Sequence, residues 1–135
     1  MKIRFVAGFS LIVESADAAR EFCGQKLGLA VEFEADSRYS TVNARGTKHF
    51  GLWTLRDAAL STFGSETWPR EHPVPQATLE LEDEDVSEAV SELQANGVTL
   101  VQDVRTETWG QVTARLISPD GLLIGITVTP WLTDD

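Results

Sequence analysis

The sequence is poor in the residues that carry thiol and metal chemistry. It has one cysteine, Cys23, and two histidines, His49 and His72. A single cysteine excludes an intramolecular disulfide and any zinc site built from several thiolates. No G-x-S-x-G elbow, no phosphate-binding glycine loop and no clustered histidine pair occurs. Basic residues are also scarce: 11 Lys and Arg stand against 21 Asp and Glu, a net charge of −10. Nucleic acid and anionic lipid are thereby excluded as main partners, because both need a basic footprint. A cationic ligand is compatible with the acidic balance, which also serves solubility. No apolar run approaches the ~20 residues of a membrane span. The opening Lys2, Arg4 and Phe5 to Val13 mimic a secretory leader, with Ala16-Asp17-Ala18 as the cleavage site. However, Gly8 and Ser10 interrupt that run and it alternates like a strand, so the cytoplasm is the expected location.

What is present is a well-patterned globular chain. Hydrophobic residues make up 42% of 135, enough for the core of one domain. Residues 3–14 form a predicted strand. Ser15 is placed to cap a helix over 16–26, with Ala19, Phe22, Cys23 and Leu27 near one face and Gly28 at its end. Strands follow over 29–35, 38–44 and 48–56. Residues 57–73 form a connector with a helical turn at Asp57 to Leu60, and Pro69, Pro73 and Pro75 oppose regular structure beyond it. The order then repeats. A strand spans 76–82, and Val86, Ala89, Val90 and Leu93 recur at helical spacing. Asp85 and Glu88 suit the cap and Asn96-Gly97 the stop. The acidic run Asp83-Glu84-Asp85 therefore marks a helix start, where the macrodipole favours negative charge. Strands over 98–104, 111–118 and 122–129 complete the second half, the last two joined by the turn Ser118-Pro119-Asp120-Gly121.

The sequence thus predicts an α+β fold of two βαβββ modules, 1–56 and 74–135, around the connector 57–73. Together they form an eight-stranded, cup-shaped sheet, because one module alone leaves a sheet face and two edges open. Whether the modules pair within one chain or across two stays open.

Two stretches carry a resemblance. Leu11-Ile12-Val13-Glu14-Ser15, running into Glu21-Phe22-Cys23-Gly24-Gln25-Lys26-Leu27-Gly28-Leu29, is similar to a strand leading into a "FYrdvLGl" helix end, with Cys23 in place of the Tyr. Trp109-Gly110-Gln111 and then Ser118-Pro119-Asp120-Gly121-Leu122-Leu123-Ile124-Gly125-Ile126 are similar to a "WG…DPDGnxIEl" ending. In order and spacing the chain resembles the vicinal-oxygen-chelate superfamily of glyoxalases, bleomycin-resistance proteins and dioxygenases. That resemblance implies four metal-ligand places, one on each of four cup strands. Carried over, they fall at Gly8, about Gly51, Gln76 and Gly125. Three of the four have no side-chain donor. Strand alternation puts Gly8, Gly51, Gln76 and Gly125 on the face turned away from the helices, where glycine is expected to leave room for a guest.

The resemblance therefore points to the metal-free, antibiotic-binding branch. The expectation is a small-molecule binding protein that sequesters a planar or cationic natural product with no metal or other cofactor, as a homodimer. Catalysis is left open, with the weight against it. Trp53 and Trp109 are the preferred stacking contacts, with core or dimer packing as the alternative. Gln76, Thr78 and Glu80 share a face; Gln76 and Glu80 are placed to orient the guest and Glu80 to pair with a cation, or else either points to solvent. His49 is a polar contact or a residual ligand, with a surface strand residue near a turn as the favoured alternative. Arg115 is placed to meet an acidic or carbonyl group, or to form a surface ion pair. Trp68 and Trp131 are assigned to packing or the subunit interface, and His72 lies off the pattern. The competing expectation is a metal-dependent lyase, isomerase or dioxygenase using His49, Gln76 and Glu80.

Overall fold

The structure, a computed structural model, describes residues 1–132. The acidic end, Asp134 and Asp135, lies outside the described residues. Strand β1 spans Ile3–Val13 and leads into helix α1, Ala16–Arg20, which continues as a π-helical segment over Glu21–Lys26. Ser15 caps α1 by accepting from the Ala18 amide, and Gly28 leaves the helix with a left-handed φ of 75°. Strands β2 (Ala30–Glu32), β3 (Ser40–Asn43) and β4 (Phe50–Thr54) complete the first module. Helix α2, Leu55–Phe63, opens the connector. The second module comprises β5 (Ala77–Asp83), α3 (Val86–Ala95), β6 (Leu100–Thr106), β7 (Val112–Ile117) and β8 (Leu123–Val128).

All eight strands lie in one mixed sheet, ordered β2-β3-β4-β1-β5-β8-β7-β6. The centre is the antiparallel pair β1 and β5, in register from Phe9 opposite Leu79 to Leu11 opposite Ala77. The modules therefore pair within one chain. Each central strand has a parallel neighbour on its other side, β4 beside β1 and β8 beside β5. The two halves are related by a pseudo-twofold axis between β1 and β5. The caps Ser15 and Asp85 occupy the same point of each module.

The core divides by face. Under α1, Cys23, Val42 and Leu52 pack with Leu11, Leu29 and Phe50. Under α3, Val86, Val90 and Ala114 pack with Leu100, Val112 and Val128. Burying a side chain such as Leu52 contributes about 1.5–3 kcal/mol. The third cluster lies on the opposite face: Ala58, Ala59, Trp68 and Leu123 pack with Ile12 and Trp53. Helix α2 and Trp68 thus close one end of the concave side.

That helix is longer than the expected turn at Asp57 to Leu60, and β4 stops at Thr54 instead of running to 56. The reason is local. The Thr54 hydroxyl accepts from the Asp57 amide and starts the helix, Ala58, Ala59 and Thr62 bury one side, and Gly64 stops it at a φ of 76°. Strand β2 is three residues long where 29–35 was expected. Among the described residues no helix is long and apolar enough to cross a membrane.

Candidate ligand-binding cup

The concave face holds a cavity of about 400 Å³, within the range of small-molecule sites. Alternation along each strand decides what faces it. Leu11, Leu52 and Val128 go to the helices, while their neighbours Gly8, Ser10, His49, Trp53, Thr78 and Glu80 line the cavity. Gln111 and Arg115 join them from the β7 side, and Tyr39, Trp109, Thr129 and Trp131 also line it. Trp131, assigned from sequence to packing or an interface, is thus a wall of the cavity.

Gly51 and Gly125 are on this face, but the space above them is taken. A Cβ on Gly51 would come within 2.7 Å of Tyr39 Cζ and 2.9 Å of Ser10 Oγ. A Cβ on Gly125 would come within 2.6 Å of Glu80 Oε2. The room expected for a guest is filled by the chain's own phenol and carboxyl. Gly8 differs: it lines the cavity, and its nearest neighbour, His49, stands at an ordinary 3.5 Å.

Gln76 does not reach the cavity. It is exposed just before β5, and its part in the sheet is a carbonyl that accepts from the Ile12 amide at 2.9 Å. The pseudo-twofold explains the misplacement. Gly8 and Thr78 each precede their helix cap by seven residues, so Thr78 is the counterpart of Gly8.

Tyr39 was not singled out from sequence. Its hydroxyl is hydrogen-bonded to His49 Nε2, with the rings 5.8 Å apart. Burial pushes the Tyr39 pKa up to about 12 and the His49 pKa below its ordinary value, so both are neutral near pH 7. The strand pattern held the signal: Ser40 and Val42 are buried, so Tyr39 and Thr41 take the other face.

Glu80 lies on the cavity floor. Burial raises its pKa, and the positive charge of Arg115 acts in the opposite direction. Gln111 joins floor to rim. It donates to Thr127 Oγ1 at 2.7 Å and accepts from Trp109 Nε1 at 2.8 Å. Arg115 is 3% exposed and is not the surface ion pair that sequence allowed. Its Nη1 donates to Gln102 Oε1 at 2.6 Å, Ser61 Oγ at 2.8 Å and Thr62 Oγ1 at 3.4 Å. The guanidinium carbon lies 5.2 Å from the centre of the Trp53 ring. His72 stands away from the cavity, stacked on Phe63.

Residues 4–126 match the family model described as the Glyoxalase/Bleomycin resistance protein/Dioxygenase superfamily. The chain belongs to this superfamily. Solved structures agree at the level of fold. A superfamily member from Vibrio splendidus 12B01 superposes with a TM-score of 0.62 at 16% identity, over 95% of this chain and 100% of that one. An NAD-dependent benzaldehyde dehydrogenase from Legionella pneumophila gives 0.62 at 15% identity, over 90% and 96%. A Streptomyces coelicolor methylmalonyl-CoA epimerase in complex with 2-nitronate-propionyl-CoA gives 0.58 at 15%, over 96% and 99%. No curated protein matches the chain.

The superfamily resemblance implied a metal at the centre of the cup, and the residues there do not fit one. Gly8, Gly51 and Gly125 offer no donor, Thr78 offers only a hydroxyl, and His49 Nε2 is engaged by Tyr39. Among the described residues no three His, Cys, Asp or Glu side chains converge. A divalent ion needs several such donors at once.

Proposed function

We propose that this superfamily member binds a planar aromatic small molecule in its cup without a metal, as a sequestering protein of the bleomycin-resistance type. One observation carries the reading: three indoles, Trp53, Trp109 and Trp131, line a cavity of about 400 Å³ whose metal places hold glycine and threonine. Indoles stack on flat guests, each contact contributing about 0.5–2 kcal/mol. Trp109 and Trp131 are 52% and 58% exposed, so a guest would cover apolar surface now open to water. Titration of tryptophan fluorescence with bleomycin-type, mitomycin-type and enediyne compounds tests it. The expected result is saturable quenching that weakens in Trp53→Ala and Trp109→Ala. Trp68 is buried in the end cluster and serves as an unresponsive background. An absence of quenching with every compound would remove the sequestration reading.

A homodimer belongs to the same proposal. Phe22, Leu27, Trp109 and Trp131 are exposed large apolar groups, and a second copy would cover some of that surface. Light scattering reads the mass directly, and a monomer at all concentrations would exclude the dimer.

One observation favours a second reading, a metal-free enzyme. Tyr39, His49 and Glu80 line one cavity with pKa values moved by burial, and such a set can hold and move protons. Conversion of a bound compound, followed by mass spectrometry and lost in His49→Phe, would support it over sequestration.

A further inference from the structure

Arg115 is a buried cation on a cavity wall, and no described carboxylate stands within 4.0 Å of it. Buried charges are ordinarily paired, because desolvation costs several kcal/mol otherwise. The partners of this one are a neutral amide and two hydroxyls, and all three accept from Nη1. A guanidinium carries five N–H groups. No described residue accepts from Nε or Nη2, which together form the edge that matches a carboxylate through two parallel hydrogen bonds. That edge is not sealed in protein. The only fully buried, partnerless side-chain polar atoms among the described residues are Glu82 Oε1 and Thr113 Oγ1. The group is also held in place. Helix α2 grips it through Ser61 and Thr62, β6 through Gln102, and Trp53 covers it at 5.2 Å.

We propose that the free edge of Arg115 receives a carboxylate of the bound molecule, so that the cup selects a planar aromatic acid. The inference rests on the ligand-binding reading and deepens it. An aromatic body beside Trp53 would bring its acid group to the guanidinium that the same indole covers. The net charge of −10 favours the encounter of cations at the surface. It does not decide the ligand inside, because surface charges are screened within ~8 Å at physiological salt. Among the described residues Glu80 is the one carboxyl group in the cavity lining, and it makes no ion pair with Arg115.

Three probes of one shape test the idea: 2-naphthoate, 2-naphthamide and 2-naphthylmethylammonium, measured by equilibrium dialysis at pH 7. Naphthoate is expected to bind at least about ten-fold tighter than the amide, a usual margin for a charge-assisted pair. The ammonium is expected to bind weakest. Arg115→Gln should remove the ten-fold preference and bring naphthoate to within about two-fold of the amide measured on the same variant. If that variant melts early, Arg115→Lys keeps the charge but loses the fork, and the preference should shrink several-fold. Equal binding of the three probes would overturn the acid preference and leave the ligand-binding reading standing. Failure of all three to bind would overturn both.

Discussion

Gly51 lies directly beneath Tyr39: a side-chain carbon on Gly51 would stand 2.7 Å from Tyr39 Cζ. The phenol reaches His49 only because this position has no side chain. Gly51→Ala is expected to push the ring out of its seat and break the bond to His49. Overpacking of this kind costs about 1–3 kcal/mol, which denaturant unfolding reads as a lower midpoint at constant slope. Proton NMR titration supplies the second readout. With the ring displaced, His49 meets more water, and its lowered pKa should climb back toward the ordinary value.

Gly125→Ala makes the contrast. The added carbon meets Glu80 Oε2 at 2.6 Å, but that atom is the far end of a flexible side chain. Glu80 can turn away, so the loss should stay below about 1 kcal/mol. The displaced carboxyl then occupies the cavity, and affinity for any cup ligand should fall more than stability does. Equal destabilisation in the two variants would show that both glycines face rigid neighbours.

The pH dependence follows from Glu80. Its pKa is raised in the folded protein above the ordinary 4.5, chiefly by burial, with Glu107 and Glu82 adding to the rise and Arg115 opposing it. Between the unfolded and the folded value the native state binds more protons than the unfolded chain. Stability contributed by the protonated group is therefore complete below about 4.5 and is lost as pH climbs through the raised value. His49, with its pKa lowered, works in the opposite direction: stability gained by its neutral form is present above the ordinary 6.5 and is lost as pH falls toward the lowered value. Comparing wild type with Glu80→Gln isolates the first effect. The variant should lose the fall in stability with rising pH, measured by urea unfolding from pH 4 to 8. An unchanged slope would mean that Glu80 titrates normally.

Strand alternation alone was enough to turn Trp53, Thr78 and Glu80 toward the cavity, because a period of two admits only two faces and the helices claim one. The same parity turns Tyr39 to the cavity, opposite buried Ser40 and Val42, but β3 is only four residues long and shows the alternation weakly. The filling of the space over Gly51 and Gly125 was not legible. A glycine shows only that a side chain is missing, and what enters the gap depends on contacts from other strands. The same holds for Arg115, whose partners come from α2 and β6. Helix α2 was readable in principle. Thr54 with Asp57, followed by Ala58 and Ala59 and closed by Gly64, is a cap, a helix-forming pair and a stop, masked by the apolar strand pattern that runs directly into it.

That cap links sequence to ligand. Thr54 Oγ1 accepts from the Asp57 amide at 3.1 Å and starts the helix that carries Ser61 and Thr62 to Arg115. Thr54→Ala should cost about 1 kcal/mol of stability through loss of the cap. It should also loosen the far end of α2, where two of the acceptors that fix Arg115 reside. Affinity for 2-naphthoate is then expected to drop several-fold while affinity for 2-naphthamide stays level, because only the acid uses the guanidinium edge. Thr54→Ser keeps the oxygen and should restore both stability and acid affinity. Were the alanine variant to weaken the two probes equally, α2 would act as a wall of the cup and not as the support of Arg115.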